Sequence, residues 1–351
     1  MRVLLVQLSA AFNGTERHAV ELANMLQDHV EVAILLRREP REPHRKPAYR
    51  AMRAALAPGV TVFLTARATP VLGLWAALAR FRPQLVHAHH DRSARVAGRW
   101  APVPVLATIH MRYTERDFGR CNALVALTED ARARTLAAGY QREVALIPNW
   151  VLPWKRPDAT RIAALRAEFG IGPDEFVVGS IGRLEPIKRM GGLIAAFAEA
   201  ALPAAHLLIV GEGEQRVELE RQIATLGLRG RVHLAGFRAD ARDFYAAFDR
   251  FVLNSEHDPY PLVLLEAAEQ GCRIIATSTQ GGAAIARTHD MTLAGIDAPA
   301  ELVAALRAAY AARADTGHTT PGPRLTGHDT ADRLPDLLAL YRRMVGLDGH
   351  G

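Results

Sequence analysis

A chain of 351 residues, 49% hydrophobic and 23% charged, has the length for two domains of ordinary size and the apolar content for two packed cores. Its formal net charge of +6 admits anionic partners such as nucleotides, anionic lipid surfaces or nucleic acid, while no run approaches the roughly 18 apolar residues that a spanning helix needs. Two cysteines, Cys121 and Cys272, are too few for a disulfide framework and read as small buried side chains of a reduced, cytoplasmic protein.

In chain order, the opening MRVLLVQLSAAFNG has one leading Arg and a short apolar run, so it reads as a first strand (Val3–Ser9) and not as a signal peptide. A turn with Asn13-Gly14 follows, and Thr15 to Leu26 carries Ala19, Leu22, Ala23 and Leu26 at helical spacing. Such a turn lets backbone approach an anion closely, although an ordinary strand-to-helix turn has the same look. Val30–Leu36 is a second strand. The segment Arg37–Leu56 is basic, with three prolines and no early apolar period. It reads as a solvated loop and exposed helix, or as an electrostatic patch over Arg37–Arg53 for anionic lipid or a phosphorylated acceptor. It lacks the interleaved aromatics of a single-strand nucleic-acid binder.

Val60–Leu64 is a strand, and Val71–Phe81 is an apolar helix expected in the core rather than as a membrane anchor. The next strand ends near Ala88 within QLVHAHHDRS. His87, His89 and Asp91 partly match a metallo-hydrolase H-x-H-x-D-H set, but Arg92 takes the last place. Histidines lining a cleft at a strand end are the preferred reading, and no metal is expected. Val103–Ile109 is a strand with His110 at its end, and Thr128 is placed to cap a following helix.

Pro153–Pro157 is proline-rich and reads as a linker, after which a second strand–helix series begins. Arg183 and Lys188 fall in the loop after the strand in FVVGSIGRLEPIKR, where two cations suit a diphosphate that must be held and must leave. Lys188 is one of three lysines (with Lys46 and Lys155) among 43 Lys+Arg, which fits a task for a compact point charge. A strand then leads to Gly211-x-Gly213, which lacks the third glycine of a dinucleotide fingerprint. Phe251–Thr277 reads as strand, polar loop, helix and strand. Pro261 suits the first helical turn, and the amides of Leu262, Val263 and Leu264 at the helix start favour an anion. Asp258 lies just before the helix. Glu266 sits inside the apolar run LVLLEAA, where a carboxylate needs a cation or hydroxyl donors as partners.

Several of these segments resemble the retaining glycosyltransferases of the GT-B fold, family 4. Asp258 and Glu266 fall on that family's E-x7-E signature, with Asp for the first Glu. Gly182, Arg183, Leu184 and Lys188 meet its G-R-L-x-x-x-K pattern, and Asn13, Gly14 and Arg17 resemble its G-G-x-E-R loop with Asn for the first glycine. His87 and His89 are similar to its D-x-V-H-x-H strand, with Gln84 for the acid. Ile147–Asn149 resembles its I-P-N-G-V segment, with Trp150 for the glycine. The glycine pair in TSTQGGAA also resembles the family, without the acid that usually follows it.

The resemblance implies an α/β GT-B architecture, two Rossmann-like doubly wound domains facing each other across a cleft. Residues 1–152 would form the acceptor side, 153–330 would bind nucleotide-sugar, and a helix in 331–351 would return to the first domain. It implies transfer of a sugar from a nucleotide-diphosphate donor to a glycan, lipid-linked or small-molecule acceptor hydroxyl, with retention and without a metal or other cofactor. Arg183, Lys188 and the helix amides would stabilise the leaving diphosphate, Glu266 would bind ribose and Asp258 sugar hydroxyls. His110 and the Asn13-Gly14 loop would face the reacting carbon, Gly182 and Gly211 the donor, and His87, His89 and Arg17 the acceptor side. The expected place is the cytoplasm or the inner face of the membrane. Two alternatives stay open: a GT-B epimerase or phosphorylase, and a non-catalytic nucleotide-sugar-binding subunit.

Overall fold

The computed structural model describes residues 1–9, 14–42, 46–313, 328 and 330–347. The chain divides into two compact units, Met1–Asn149 with Thr330–Gly351, and Trp150–Asp329. Each is a parallel sheet whose strands alternate with helices, as near-continuous apolar strand runs demand.

Among the described residues the first unit holds seven strands: β1 (Arg2–Gln7), β2 (Glu31–Arg37), β3 (Thr61–Thr65), β4 (Leu85–His89), β5 (Val105–Ile109), β6 (Ala123–Ala126) and β7 (Glu143–Leu146). Their spatial order is β3-β2-β1-β4-β5-β6-β7 and every pairing is parallel. The helices are α1 (Gly14–Leu26), α2 (Lys46–Ala54), α3 (Pro70–Phe81), α4 (Asp91–Trp100), α5 (Glu115–Phe118) and α6 (Glu129–Ala137). β4 lies between β1 and β5, and all five of its residues are buried. The Thr128 hydroxyl accepts from the Ala131 amide at 3.1 Å and caps α6.

The second unit holds β8 (Phe176–Ile181), β9 (Ala205–Val210), β10 (Val232–Gly236), β11 (Arg250–Leu253), β12 (Ile274–Thr277) and β13 (Thr292–Ala294), in the order β10-β9-β8-β11-β12-β13. Its helices are α7 (Ala159–Ala167), α8 (Met190–Ala200), α9 (Arg216–Thr225), α10 (Ala241–Phe244), α11 (Leu262–Glu269), α12 (Gln280–Ile285) and α13 (Pro299–Ala311). One core joins Val178, Leu207, Ile209 and Val252 of the sheet to Leu193, Phe197 and Leu306 of α8 and α13. The order reverses between β8 and β11, so the loops after these two strands open at a topological switch point, the place where open α/β sheets bind ligands.

The final helix, α14 (Thr330–Met344), belongs to the first unit. Leu337, Leu340 and Tyr341 are buried, and the Tyr341 hydroxyl meets His87 Nδ1 at 2.7 Å. Arg343 pairs with Glu143 on β7 at 2.8 Å.

Candidate functional site

The loop after β8 is held in place by backbone. The amide of Gly182 donates to the Val210 carbonyl, that of Leu184 to Glu212 and that of Gln215 to Leu184. Gly211 lies against it at φ +148°, and a Cβ there would stand 1.8 Å from the Gly182 carbonyl oxygen, so only glycine allows the two strand ends to touch. A 3-10 turn, Pro186–Lys188, then leads to Arg189 in the left-handed region at φ 50°. Two bonds join this turn to the loop after β11: Asn254 Nδ2 donates to the Arg189 carbonyl at 2.9 Å, and the Glu256 amide donates to the Ile187 carbonyl at 2.9 Å.

These links bring Lys188 and Asp258 together. Lys188 Nζ donates to Asp258 Oδ2 at 2.6 Å, with both side chains mostly shielded from water. Arg183 is half-exposed and pairs with Glu185. Pro261 is the residue before α11 rather than part of its first turn. The Leu264 amide, expected among those facing an anion, instead donates to the Pro261 carbonyl at 3.1 Å. The amides of Leu262 and Val263 are those left at the helix start. The Asp258 loop is fastened from α12, whose Gly281 amide donates to the Asp258 carbonyl at 3.0 Å. A Cβ on Gly281 would stand 2.7 Å from the Pro259 oxygen.

Glu266 is 3% exposed. Its Oε1 accepts from Arg242 Nε at 3.0 Å and its Oε2 from the Tyr245 hydroxyl at 2.8 Å, which meets the demand for a cation and a hydroxyl. Arg242 in turn lies over the Trp154 ring, 4.7 Å from its centroid. Arg242, Tyr245, Trp154 and Asn254 were not singled out from sequence. Their partners lie far along the chain, and only the apolar setting of Glu266 hinted that such partners exist.

In the first unit, Gly14 and Arg17 lie in the opening turn of α1, while Asn13 falls outside the described residues. His18, His87, His89 and His110 form a buried imidazole cluster, with ring centroids 4.3 Å apart for His87 and His89 and 5.6 Å for His18–His89, His18–His110 and His89–His110. His87, expected on the acceptor side, is 1% exposed and both ring nitrogens are in use, Nδ1 with Tyr341 and Nε2 with Thr108 Oγ1 at 2.8 Å. His89 is likewise interior, 0% exposed, with Nδ1 3.3 Å from His110 Nε2 and no hydrogen-bond partner at Nε2 among the described residues. A central strand of a parallel sheet is covered on both faces, so its histidines face core. His110 is 9% exposed.

Burial lowers the pKa of His18 to about 4. Burial, aided by His18, lowers that of His87 to about 3. Burial and then the neighbouring histidines hold His89 and His110 well below the usual range. All four are neutral imidazoles at neutral pH, able to accept or donate a hydrogen bond but not to act as cations. Next to them His90 has φ +81°, a region costly for a side-chain-bearing residue. Among the described residues no group of three or more His, Cys, Asp or Glu is placed to hold a metal ion.

The basic segment Arg37–Arg53 spans the end of β2 and α2. Tyr49 and Met52 are buried, the Tyr49 hydroxyl donates to the Arg37 carbonyl at 2.8 Å, and Arg50 pairs with Glu39 at 2.7 Å. No described helix is long and apolar enough to cross a membrane.

The family model described as "Glycosyltransferase Family 4" matches residues 12–153, and that described as "Glycosyl transferases group 1" matches residues 162–313. Lipopolysaccharide core biosynthesis glycosyltransferase LpsD of Rhizobium meliloti is 29% identical over 297 residues, covering 81% of this chain and 80% of that protein. LpsE of the same organism is 34% identical over 165 residues, 47% of this chain and 46% of that protein, so that match spans less than half of LpsE. In fold, the chain is similar to Anabaena HepE in complex with UDP and glucose, with a TM-score of 0.75 over 99% of this chain and 97% of that one, at 20% identity.

Proposed function

The chain belongs to the group 1 glycosyltransferases of family 4, with the paired Rossmann-like units of the GT-B fold, and from that premise we propose that it moves a sugar from a nucleotide-diphosphate donor to an acceptor hydroxyl with retention of configuration. The observation that carries this reading is the 2.6 Å Lys188–Asp258 pair, which at the switch point of the second sheet ties the loop after β8, where Arg183 also lies, to the loop that leads into α11.

In this proposal Lys188, Arg183 and the amides of Leu262 and Val263 bind the diphosphate and stabilise the negative charge that grows on it as the sugar leaves. Charge-assisted bonds of this kind contribute about 1.5–3 kcal/mol each. Asp258 holds Lys188 with one oxygen and keeps the other for a sugar hydroxyl. Glu266, fixed by Arg242 and Tyr245, accepts hydrogen bonds from the ribose hydroxyls while its charge stays balanced. Gly182 and Gly211 supply close-approaching backbone. His110, held neutral, acts toward the transferred sugar through hydrogen bonding, and Asn13, Gly14 and Arg17 share that task. Two side-chain cations carry the charge that a metal would otherwise supply, so the reaction is proposed to be metal-independent. The lipopolysaccharide-core names of LpsD and LpsE support a glycan or lipid-linked acceptor, met at the inner membrane face, where Arg37–Arg53 would be drawn to negative charge.

The test is a melting-temperature screen with UDP, GDP, ADP and dTDP, with and without attached sugars. Ligand binding to the folded state raises the midpoint by mass action. Stabilisation by one diphosphate, lost in Lys188→Ala and weakened in Glu266→Ala, is expected. No shift with any of them refutes the donor site.

A further inference from the structure

One surface of the first unit has no account in this proposed chemistry. α3 buries Leu74, Ala77 and Leu78 against the sheet. Its opposite stripe, at positions i, i+3, i+4 and i+7, is Leu72, Trp75, Ala76 and Ala79, all exposed. Leu72 is 68% and Trp75 50% exposed. A helix on a protein surface is ordinarily polar on its outer stripe, and one that is apolar all round is covered by something. The expectation that this helix is simply core is therefore met by only one of its faces.

Charge identifies the cover. No Asp or Glu falls between Glu42 and Asp91, while that stretch carries Arg45, Lys46, Arg50, Arg53, Arg67, Arg80 and Arg82. Arg67 precedes α3, Arg80 lies in its last turn and Arg82 directly follows it, and all three are exposed. A large apolar pair on a helix flanked at both ends by arginines, with no carboxylate nearby in the chain, is the pattern of a helix that lies in a bilayer interface with cations at the headgroups. At 12 residues the helix is too short to span a bilayer.

We propose that the Leu72/Trp75 face of α3 seats the first unit on an anionic lipid bilayer, with the two side chains entering the interface and Arg67, Arg80 and Arg82 pairing with lipid phosphates. This is a site on α3, distinct from the Arg37–Arg53 segment, and it does not depend on the donor site. The test is co-sedimentation of the full chain with vesicles of phosphatidylcholine alone or mixed equally with phosphatidylglycerol, at low and high salt. Binding is expected only to the mixed vesicles, weakening with salt and by about fivefold for each of Arg67, Arg80 and Arg82 replaced by Ser. The double variant Leu72→Glu/Trp75→Glu is expected to lose binding while its melting temperature and its response to nucleotide diphosphates stay as in the parent chain. Trp75→Phe is expected to bind but to lose a blue shift of tryptophan emission on vesicle addition. Equal binding by the parent chain and the double variant, or no binding to the mixed vesicles, overturns the proposal. So does a dimer in sedimentation velocity that the double variant abolishes without any vesicle binding, which would assign the face to a second copy.

Discussion

Lowering the pH from 7.5 to 5.5 is expected to loosen the first unit through its histidine cluster. In the unfolded chain each imidazole takes up a proton near its ordinary pKa of about 6.5. In the folded unit His18 resists to about 4 and His87 to about 3, and His89 and His110 are held down in the same direction. The unfolded chain therefore binds more protons below pH 6.5. The stability is fully present above that value and is lost as pH falls toward the folded pKa values. At pH 5.5 each such histidine removes about 1.4 kcal/mol. His18 and His87 alone then amount to about 3 kcal/mol, a large share of an ordinary domain's stability, and His89 and His110 act in the same direction. Hydrogen exchange by mass spectrometry reads this unit by unit. Protection of peptides from β4 and β5 should fall by about a hundredfold or more on this shift, corresponding to that 3 kcal/mol, and by more than protection of β11 and β12. His87→Gln should reduce the pH slope by about one proton even though it lowers absolute stability. Unchanged protection of β4 and β5 between the two pH values would refute the argument, because the imidazoles would then be charging without unfolding.

Other expectations concern the second unit and the helix that closes the first. Lys188→Ala should weaken nucleotide-diphosphate binding by about 10- to 100-fold in calorimetry, and Lys188→Arg should restore only part of it, because a planar fork does not replace a point charge beside Asp258. Glu266→Gln should lower stability by about 2–4 kcal/mol in urea titration, since Arg242 loses its buried counter-charge; an unchanged midpoint would mean that the pair is not formed. Gly281→Ala should displace the 258–261 loop, costing about 1–3 kcal/mol and most of the nucleotide response in a melting screen, while Gly139→Ala, with open space around it but φ +97°, should cost stability without touching that response. Tyr341→Phe should cost about 1–3 kcal/mol in the first unit by stranding His87 Nδ1, again read by exchange in β4.

The strands, their alternation with helices and the position of Arg183 and Lys188 at a strand end were legible because apolar runs, turn residues and a rare lysine are local signals. Glu266 was half legible. Its apolar neighbours called for partners, but Arg242 and Tyr245 stand 24 and 21 residues away, and nothing local says which side chains fold back. His87 and His89 were placed on a cleft because they stand at the end of a strand, on one of its faces. Spacing does not say whether that face meets water or core, and that is decided by β4 lying between β1 and β5. Gly281 was visible as one of a glycine pair, yet its reason, contact with Pro259 and Tyr260, exists only once α12 and the 258–261 loop are packed. The outer stripe of α3 escaped because periodicity identifies a buried face and is silent about what covers the other.

The final helix has a consequence for how the chain is made. Tyr341, Leu337 and Leu340 complete the interior of a unit whose first 149 residues leave the ribosome long before them. At about 5–20 residues per second, the first unit waits on the order of ten seconds or more with β4 and its histidines uncovered, while the whole of Trp150–Asp329 is synthesised and can fold. The order of maturation is thus inverted relative to the order of synthesis: the unit begun first is finished last. Premature termination between residues 329 and 337 would spare the second unit and leave the first without its seal, making it the substrate for chaperones and proteases.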